Sequence, residues 1–229
     1  MGQIIEEYYP KPQGNGSSLR SSSNERILRN VFSFSEKPKV SRVDRRLVIQ
    51  HTLDTDSLRI EGQERHMDYV EGYSIAIGKI LFITGDELRD LALAAKLHDV
   101  GKAFLKPGIL DMPRKLSDKE MEEIKKHPEI GYWLLKSDSR YQKVAEYVRH
   151  HHERWDGLGY PGGLKGGEIP LFSRIIAVAD AYDAMTSKRV YQKTKSCPEA
   201  VRELIKHSGS QFDPNIVKIF VEKVLWIKP

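Results

Sequence analysis

The chain has one cysteine, Cys197, among its 229 residues, so an internal disulfide framework is excluded. No apolar run approaches the roughly 18 residues that a membrane-spanning helix requires, and no span is expected. The opening MGQIIEEYYPKP lacks the basic head and apolar centre of a secretory signal. Export is not expected, and the reading is a cytoplasmic protein. Internal repeats are missing, as is any apolar-polar alternation long enough for a useful strand. A large excess of one charge is missing too. The net charge is +5, but residues 1–46 hold nine Lys or Arg against five Asp or Glu. The remainder is nearly neutral and has no polyanion-binding stripe, so no DNA or RNA partner is expected.

What is present is a hydrophobic share of 39% beside 30% charged residues, the balance of a globular domain in water. The length fits one sizeable domain with an appendage. Residues 9–24, YPKPQGNGSSLRSSSN, are rich in Pro, Gly and Ser with little to bury and read as flexible. Residues 25–60 carry short apolar patches of ambiguous period and read as partly helical. Residues 1–60 thus form a weakly basic extension, expected to fold onto the domain, recruit a partner or support a homodimer, and 61–229 form the domain. From residue 63 the period is helical. Thr84-Gly-Asp-Glu87 and Ser117-Asp-Lys-Glu120 each read as a capping box. The first opens a helix that Gly101 can end, the second one that Pro128 interrupts. Further helices near 139–153, 172–186, 197–208 and 214–225 make the chain all-α.

Polar residues on apolar helix faces carry the functional signal, because an unpaired imidazole or carboxylate costs several kcal/mol to bury. Val70, Tyr73, Ile77 and Ile80 continue a stripe headed by His66. Leu88, Leu91, Ala92 and Ala95 extend to His98 and Asp99. His127 follows Ile124 by three, just before Pro128. In HHH at 150–152, the spacing of Tyr141, Val144, Ala145 and Val148 turns His151 and His152 inward and leaves His150 facing water. Asp180 lies between Ile176 and Ala184 inside an apolar helix. Taken singly, an inward histidine is more often a hydrogen-bonded core residue than a ligand. Seven inward donors from five segments call for cations, and imidazole with carboxylate suits Fe, Mn, Zn or Ni. Seven exceed one ion's needs, so two ions sharing Asp99 are expected.

These residues match, in order and spacing, the HD superfamily of metal-dependent phosphohydrolases and resemble its HD-GYP branch. The resemblance runs from about His66 to Phe220. It rests on LHDVGK at 97–102, His-Pro at 127, HHERWDGLGYPGG at 151–163, IP..SRIIAVADAYDAMTSKRVY at 169–191 and FDP at 212–214. It implies a helical bundle around a binuclear centre, most often of iron or manganese, that hydrolyses cyclic di-GMP to pGpG or on to GMP. One metal would take His66, His98, Asp99 and Asp180, the other Asp99, His127, His151 and His152. Lys102 is similar to the family lysine near the bridging water and scissile phosphate, and Arg189 matches a basic residue that holds substrate phosphate. Two ions about 3.5–4 Å apart acidify a shared water and offset phosphoryl charge.

Other readings stand beside these. Lys102 also suits a helix C-terminus, Arg189 a surface ion pair, and the four glycines of WDGLGYPGG a structural elbow. Tyr160 would alternatively stack on a base or meet a partner such as a diguanylate cyclase. Some family members carry a third-metal glutamate where this chain has Gly62, so two metals are expected. Gln192 and Met112 replace basic residues and Tyr69 an arginine, which implies fewer phosphate contacts. A non-catalytic cyclic di-GMP receptor is one alternative function; another keeps the metal centre but acts on another cyclic dinucleotide, a nucleoside phosphate or an oxygenase substrate.

Overall fold

In a computed structural model, the described residues are 49 and 63–227, apart from 107, 111, 113 and 188–193. The readings of residues 9–24 as flexible and 25–60 as helical lie outside them, save at Ile49, which is buried in the core. The chain divides into two compact units, Met1–Leu47 and Val48–Pro229, and the described residues all belong to the second.

Every regular element among them is helical, and the isolated bridge Ser208 to Phe212 joins no sheet. Helix α1 spans Gln63–Ile80, α2 Gly85–Leu97, α3 Asp118–Ile124, α4 His127–Lys136, α5 Gln142–Arg149, α6 Leu171–Thr186, α7 Cys197–Lys206 and α8 Pro214–Ile219. A 3-10 turn, Val100–Phe104, follows α2, and a π-turn, Phe220–Val224, extends α8. No helix among the described residues is long and apolar enough to cross a membrane.

Helix α6 is the organising element. Its sequence, LFSRIIAVADAYDAMT, is apolar nearly all round, and Phe172, Ile175, Ile176, Val178, Ala179 and Tyr182 are all buried. A helix apolar on every side needs neighbours on every side, and α1, α2, α5, α7 and α8 pack against it. The amphipathic α1 and α2 lay Val70, Ile77, Leu91, Ala94 and Ala95 on the same core, joined by Val144, Ala145 and Val148 of α5. Helix α4 packs on α5 and on the 3-10 turn, which brings the segment after α2 beside His127.

Local signals fared unequally. Ser117 accepts from Glu120 N while the Glu120 side chain accepts from Ser117 N, a complete capping box. Thr84 is the N-cap of α2 but makes no side-chain cap bond, because Gly85 enters the helix in the left-handed region at φ 58° and alters the first turn. Nor does Gly101 end α2. The helix stops at Leu97, and Gly101 is buried in the 3-10 turn. A Cβ at Gly101 would run into the His127 carbonyl oxygen and lie 2.8 Å from Gly131 N, so the glycine is required for close backbone approach.

Candidate metal centre

Three helix ends build most of the site by one device. The last carbonyls of an α-helix have no partner within it. His98 Nδ1 meets Ala95 O at 2.7 Å after α2, His127 Nδ1 meets Ile124 O at 2.7 Å after α3, and His151 Nδ1 meets Val148 O at 2.6 Å after α5. A carbonyl only accepts, so each Nδ1 carries the proton and each neutral ring leaves a bare lone pair on Nε2. Helix C-termini thus aim three imidazoles, all nearly fully buried, into one gap.

Asp99 and Asp180 enter the same gap. Asp99 Oδ1 lies 3.2 Å from His127 Nε2, and its Oδ2 lies 3.4 Å from His98 Nε2 and 2.5 Å from Lys102 Nζ. Asp180 Oδ1 lies 3.2 Å from His66 Nε2 and 3.9 Å from His98 Nε2. The seven residues form two groups: Asp99, His127, His151 and His152, and His66, His98 and Asp180. Within each group the donor atoms all lie within 4.8 Å of one another. Asp99 is the link, since it also reaches His98 of the second group.

The donor chemistry fits a cation. Within the site, His98 Nε2 and Asp99 Oδ1 are buried without a hydrogen-bond partner. His127 Nε2 and His151 Nε2 face each other at 3.3 Å, although both rings spend their proton on a carbonyl. Two lone pairs so placed repel unless a positive charge lies between them.

The electrostatics of the metal-free protein are divided. Burial depresses the His152 pKa, with the adjacent His127 acting in the same direction, to about 3. His151 is held well below the usual imidazole value by burial and by the neighbouring histidines. For His66, burial works downward, but hydrogen bonds to Asp180 and Asp183 outweigh it and push the value up to about 9. Burial works to raise both carboxylates. Lys102, His98 and His127 nevertheless hold Asp99 well below the ordinary range, and His66 and His98 do the same for Asp180.

Metal-free protein should respond to pH in two opposite ways. An imidazole depressed by folding stabilises above its unfolded value of about 6.5 and costs stability as pH falls. The raised His66 contributes below about 6.5, and that contribution is lost as pH rises through about 9. Melting temperature measured with chelator is therefore expected to peak near neutrality and fall on both sides. Divalent ion should remove the alkaline fall, by replacing the proton on His66.

The remaining expectations divide. Lys102 lies at the site, paired with Asp99. Arg189 lies outside the described residues. The Tyr160 ring packs on His152 with centroids 5.0 Å apart, and Lys125 Nζ stands 5.8 Å from its centre. His150 does not face water. Its side chain is only 12% exposed and its Nδ1 is 3.4 Å from Glu153 Oε1, because α5 ends at Arg149 and the glycine loop folds back over the next residues.

Two buried carboxylates beside the site, Glu153 and Asp183, escaped the sequence reading. Glu153 accepts from Gly162 N at 2.6 Å and Leu164 N at 3.2 Å, tying the glycine loop to the segment that carries His151 and His152. At Gly159 a Cβ would lie 2.5 Å from Glu153 Cα, so the loop closes tightly only with glycine there. Glu153→Ala strands both amides, and a loss of about 2–4 kcal/mol is expected in urea unfolding. The other carboxylate, Asp183, accepts from His66 Nδ1 at 2.5 Å. Its signal was a second acid three residues after Asp180, on a face otherwise apolar.

The profile of the HD domain family matches residues 26–216. The chain is 41% identical over 153 residues to a cyclic di-GMP phosphodiesterase response regulator of Xanthomonas campestris, covering 66% of this chain and 40% of that one. It is 39% identical over 160 residues to a cyclic di-GMP phosphodiesterase of Thermotoga maritima, covering 69% and 44%. A 3'3'-cGAMP-specific phosphodiesterase of Vibrio cholerae is 36% identical over 159 residues, covering 69% and 30%. The chain therefore spans less than half the length of these relatives. Among solved structures, an HDG"Y"P protein from Bdellovibrio bacteriovorus superposes with a TM-score of 0.58 at 21% identity, over 80% of this chain and 63% of that one, a likeness of fold. With the family profile matching most of the sequence and the HD pair His98-Asp99 at the junction of both donor groups, the chain belongs to the HD domain family, in its HD-GYP branch.

Proposed function

We propose that this protein is a metal-dependent phosphodiesterase that hydrolyses cyclic di-GMP to pGpG, GMP or both. The observation that carries the reading is the pair of lone-pair nitrogens of His127 and His151 at 3.3 Å beside the orphaned His98 Nε2 and Asp99 Oδ1, a donor array built for cations. His66, His98 and Asp180 would hold one ion and His127, His151 and His152 the other, with Asp99 shared. Imidazole with carboxylate suits Fe, Mn, Zn or Ni, and the family resemblance favours Fe or Mn among them. When bound, such a pair supplies an acidified water and Lewis-acid relief of phosphoryl charge.

The chain's own groups do the rest. Lys102 keeps a cation against Asp99 at the edge of the gap, where negative charge gathers on a phosphoryl group in displacement. Arg189 is assigned to substrate phosphate on its match to the family pattern. Tyr160, packed on His152, walls one side of the site, where its exposed edge would meet a base. Leu158 at the loop tip is 78% exposed and suits a contact with a diguanylate cyclase, and a homodimer would use another face. A cytoplasmic setting fits a chain whose cysteine is a free thiol.

One relative supports a second substrate, since the similar Vibrio cholerae protein is named as specific for 3'3'-cGAMP. The test is to incubate Mn- or Fe-loaded protein anaerobically with cyclic di-GMP and, separately, with 3'3'-cGAMP. Linear pGpG or GMP from the first is expected. Faster turnover of 3'3'-cGAMP would shift the assignment to the second, and protein inert on both with verified metal content would refute the enzyme reading.

A further inference from the structure

His66 is held unlike the other buried imidazoles. His98, His127 and His151 use carbonyls left free at helix ends, whereas His66 lies in the first turns of α1, where carbonyls enter the helix's own ladder. Its Nδ1 instead meets Asp183 Oδ2 at 2.5 Å, across 117 residues of sequence. Asp183 sits on α6 one turn beyond Asp180 and is 2% exposed. Its other oxygen accepts from the Ser187 hydroxyl at 2.7 Å, and no Lys or Arg among the described residues pairs with it. A buried carboxylate is costly unless used, and the group facing it is one imidazole nitrogen.

Resting on the metal reading above, we propose that Asp183 is a positioning residue for the His66 group: it fixes the proton on Nδ1, aims Nε2 at the ion, and places a negative charge behind the ring. A carboxylate behind a ligating imidazole orients it and strengthens it as a donor. The two ions are then unequal. The one near His66 has a carboxylate behind its imidazole, while His127 and His151 have only neutral carbonyls behind theirs. Ser187 matters at one remove, by fixing the carboxylate's rotation.

The test is calorimetric titration of Mn2+ into chelator-stripped wild type, Asp183→Asn, Ser187→Ala and His151→Ala. Wild type is expected to take two ions, and His151→Ala identifies the step that belongs to the His66 group as the one it spares. Asp183→Asn keeps the shape and an acceptor oxygen but not the charge. It is expected to weaken that step about 10- to 100-fold and leave the other unmoved, with a smaller loss in the same step for Ser187→Ala. An Asp183→Asn isotherm matching wild type overturns the inference, as does equal weakening of both steps, which marks general loosening. If Asp183→Asn does not fold by circular dichroism, Ser187→Ala decides on the same criterion. Wild type that takes up no Mn2+ overturns the metal reading itself, an outcome distinct from either.

Discussion

Asp99→Asn is expected to cost at least about 10³-fold in kcat/KM on cyclic di-GMP, several kcal/mol in barrier height, and to leave the protein short of metal. Asn has nearly the same shape, so the loss isolates charge. Among the described residues, Asp99 is the one carboxylate within 3.4 Å of an imidazole from each group, His98 and His127. It also holds Lys102 at 2.5 Å. Its carboxyl lies well below the ordinary range because Lys102, His98 and His127 overcome the opposing effect of burial, so at neutral pH it supplies a full negative charge. Neutralising it would remove the anion that two cations would share and strand the ammonium of Lys102. Metal content by elemental analysis and turnover should fall together. A variant with two ions and wild-type rate would mean that the two groups do not share this residue.

The second large effect is on stability. Gly101→Ala is expected to lower it by about 3 kcal/mol or more, which for a protein of this size is a fall of roughly 6–12 °C in Tm. The added methyl would meet backbone, the His127 carbonyl and the Gly131 amide, and backbone cannot swing aside as a side-chain tip can. The strain falls at the site as well as in the core. The 3-10 turn bearing Gly101 follows Asp99 and carries Lys102, and the nearest atom the methyl would meet belongs to His127, which supplies an imidazole. Separation of the turn from α4 would widen the gap between Asp99 and His127, so reduced metal retention should accompany the lower Tm. Scanning calorimetry with elemental analysis checks both.

Much of the site is legible in the amino-acid sequence. A polar residue on an apolar stripe is a strong signal because the helix period fixes its direction, and that argument turned His66, His98, Asp99, His127, His151, His152 and Asp180 inward. All seven fall in the two donor groups. His150 departs from that pattern: the helix period turns its ring outward, and the segment that follows covers it, with Nδ1 3.4 Å from Glu153 Oε1. Gly101 looked like a helix stop because close approach of two backbones leaves no local trace. Glu153, between His152 and Arg154, and Asp183, three residues after Asp180, show no local sequence feature that names a partner. Their partners, loop amides and an imidazole 117 residues away, exist only in three dimensions.

The use of helix ends as imidazole supports carries a mechanical consequence. Final turns are ordinarily where a helix unravels first, yet α2, α3 and α5 each terminate on a carbonyl engaged by a histidine whose far nitrogen would grip an ion. Loading should therefore act as a rivet through three otherwise loose ends, slowing amide hydrogen exchange there more than in the mid-helix core.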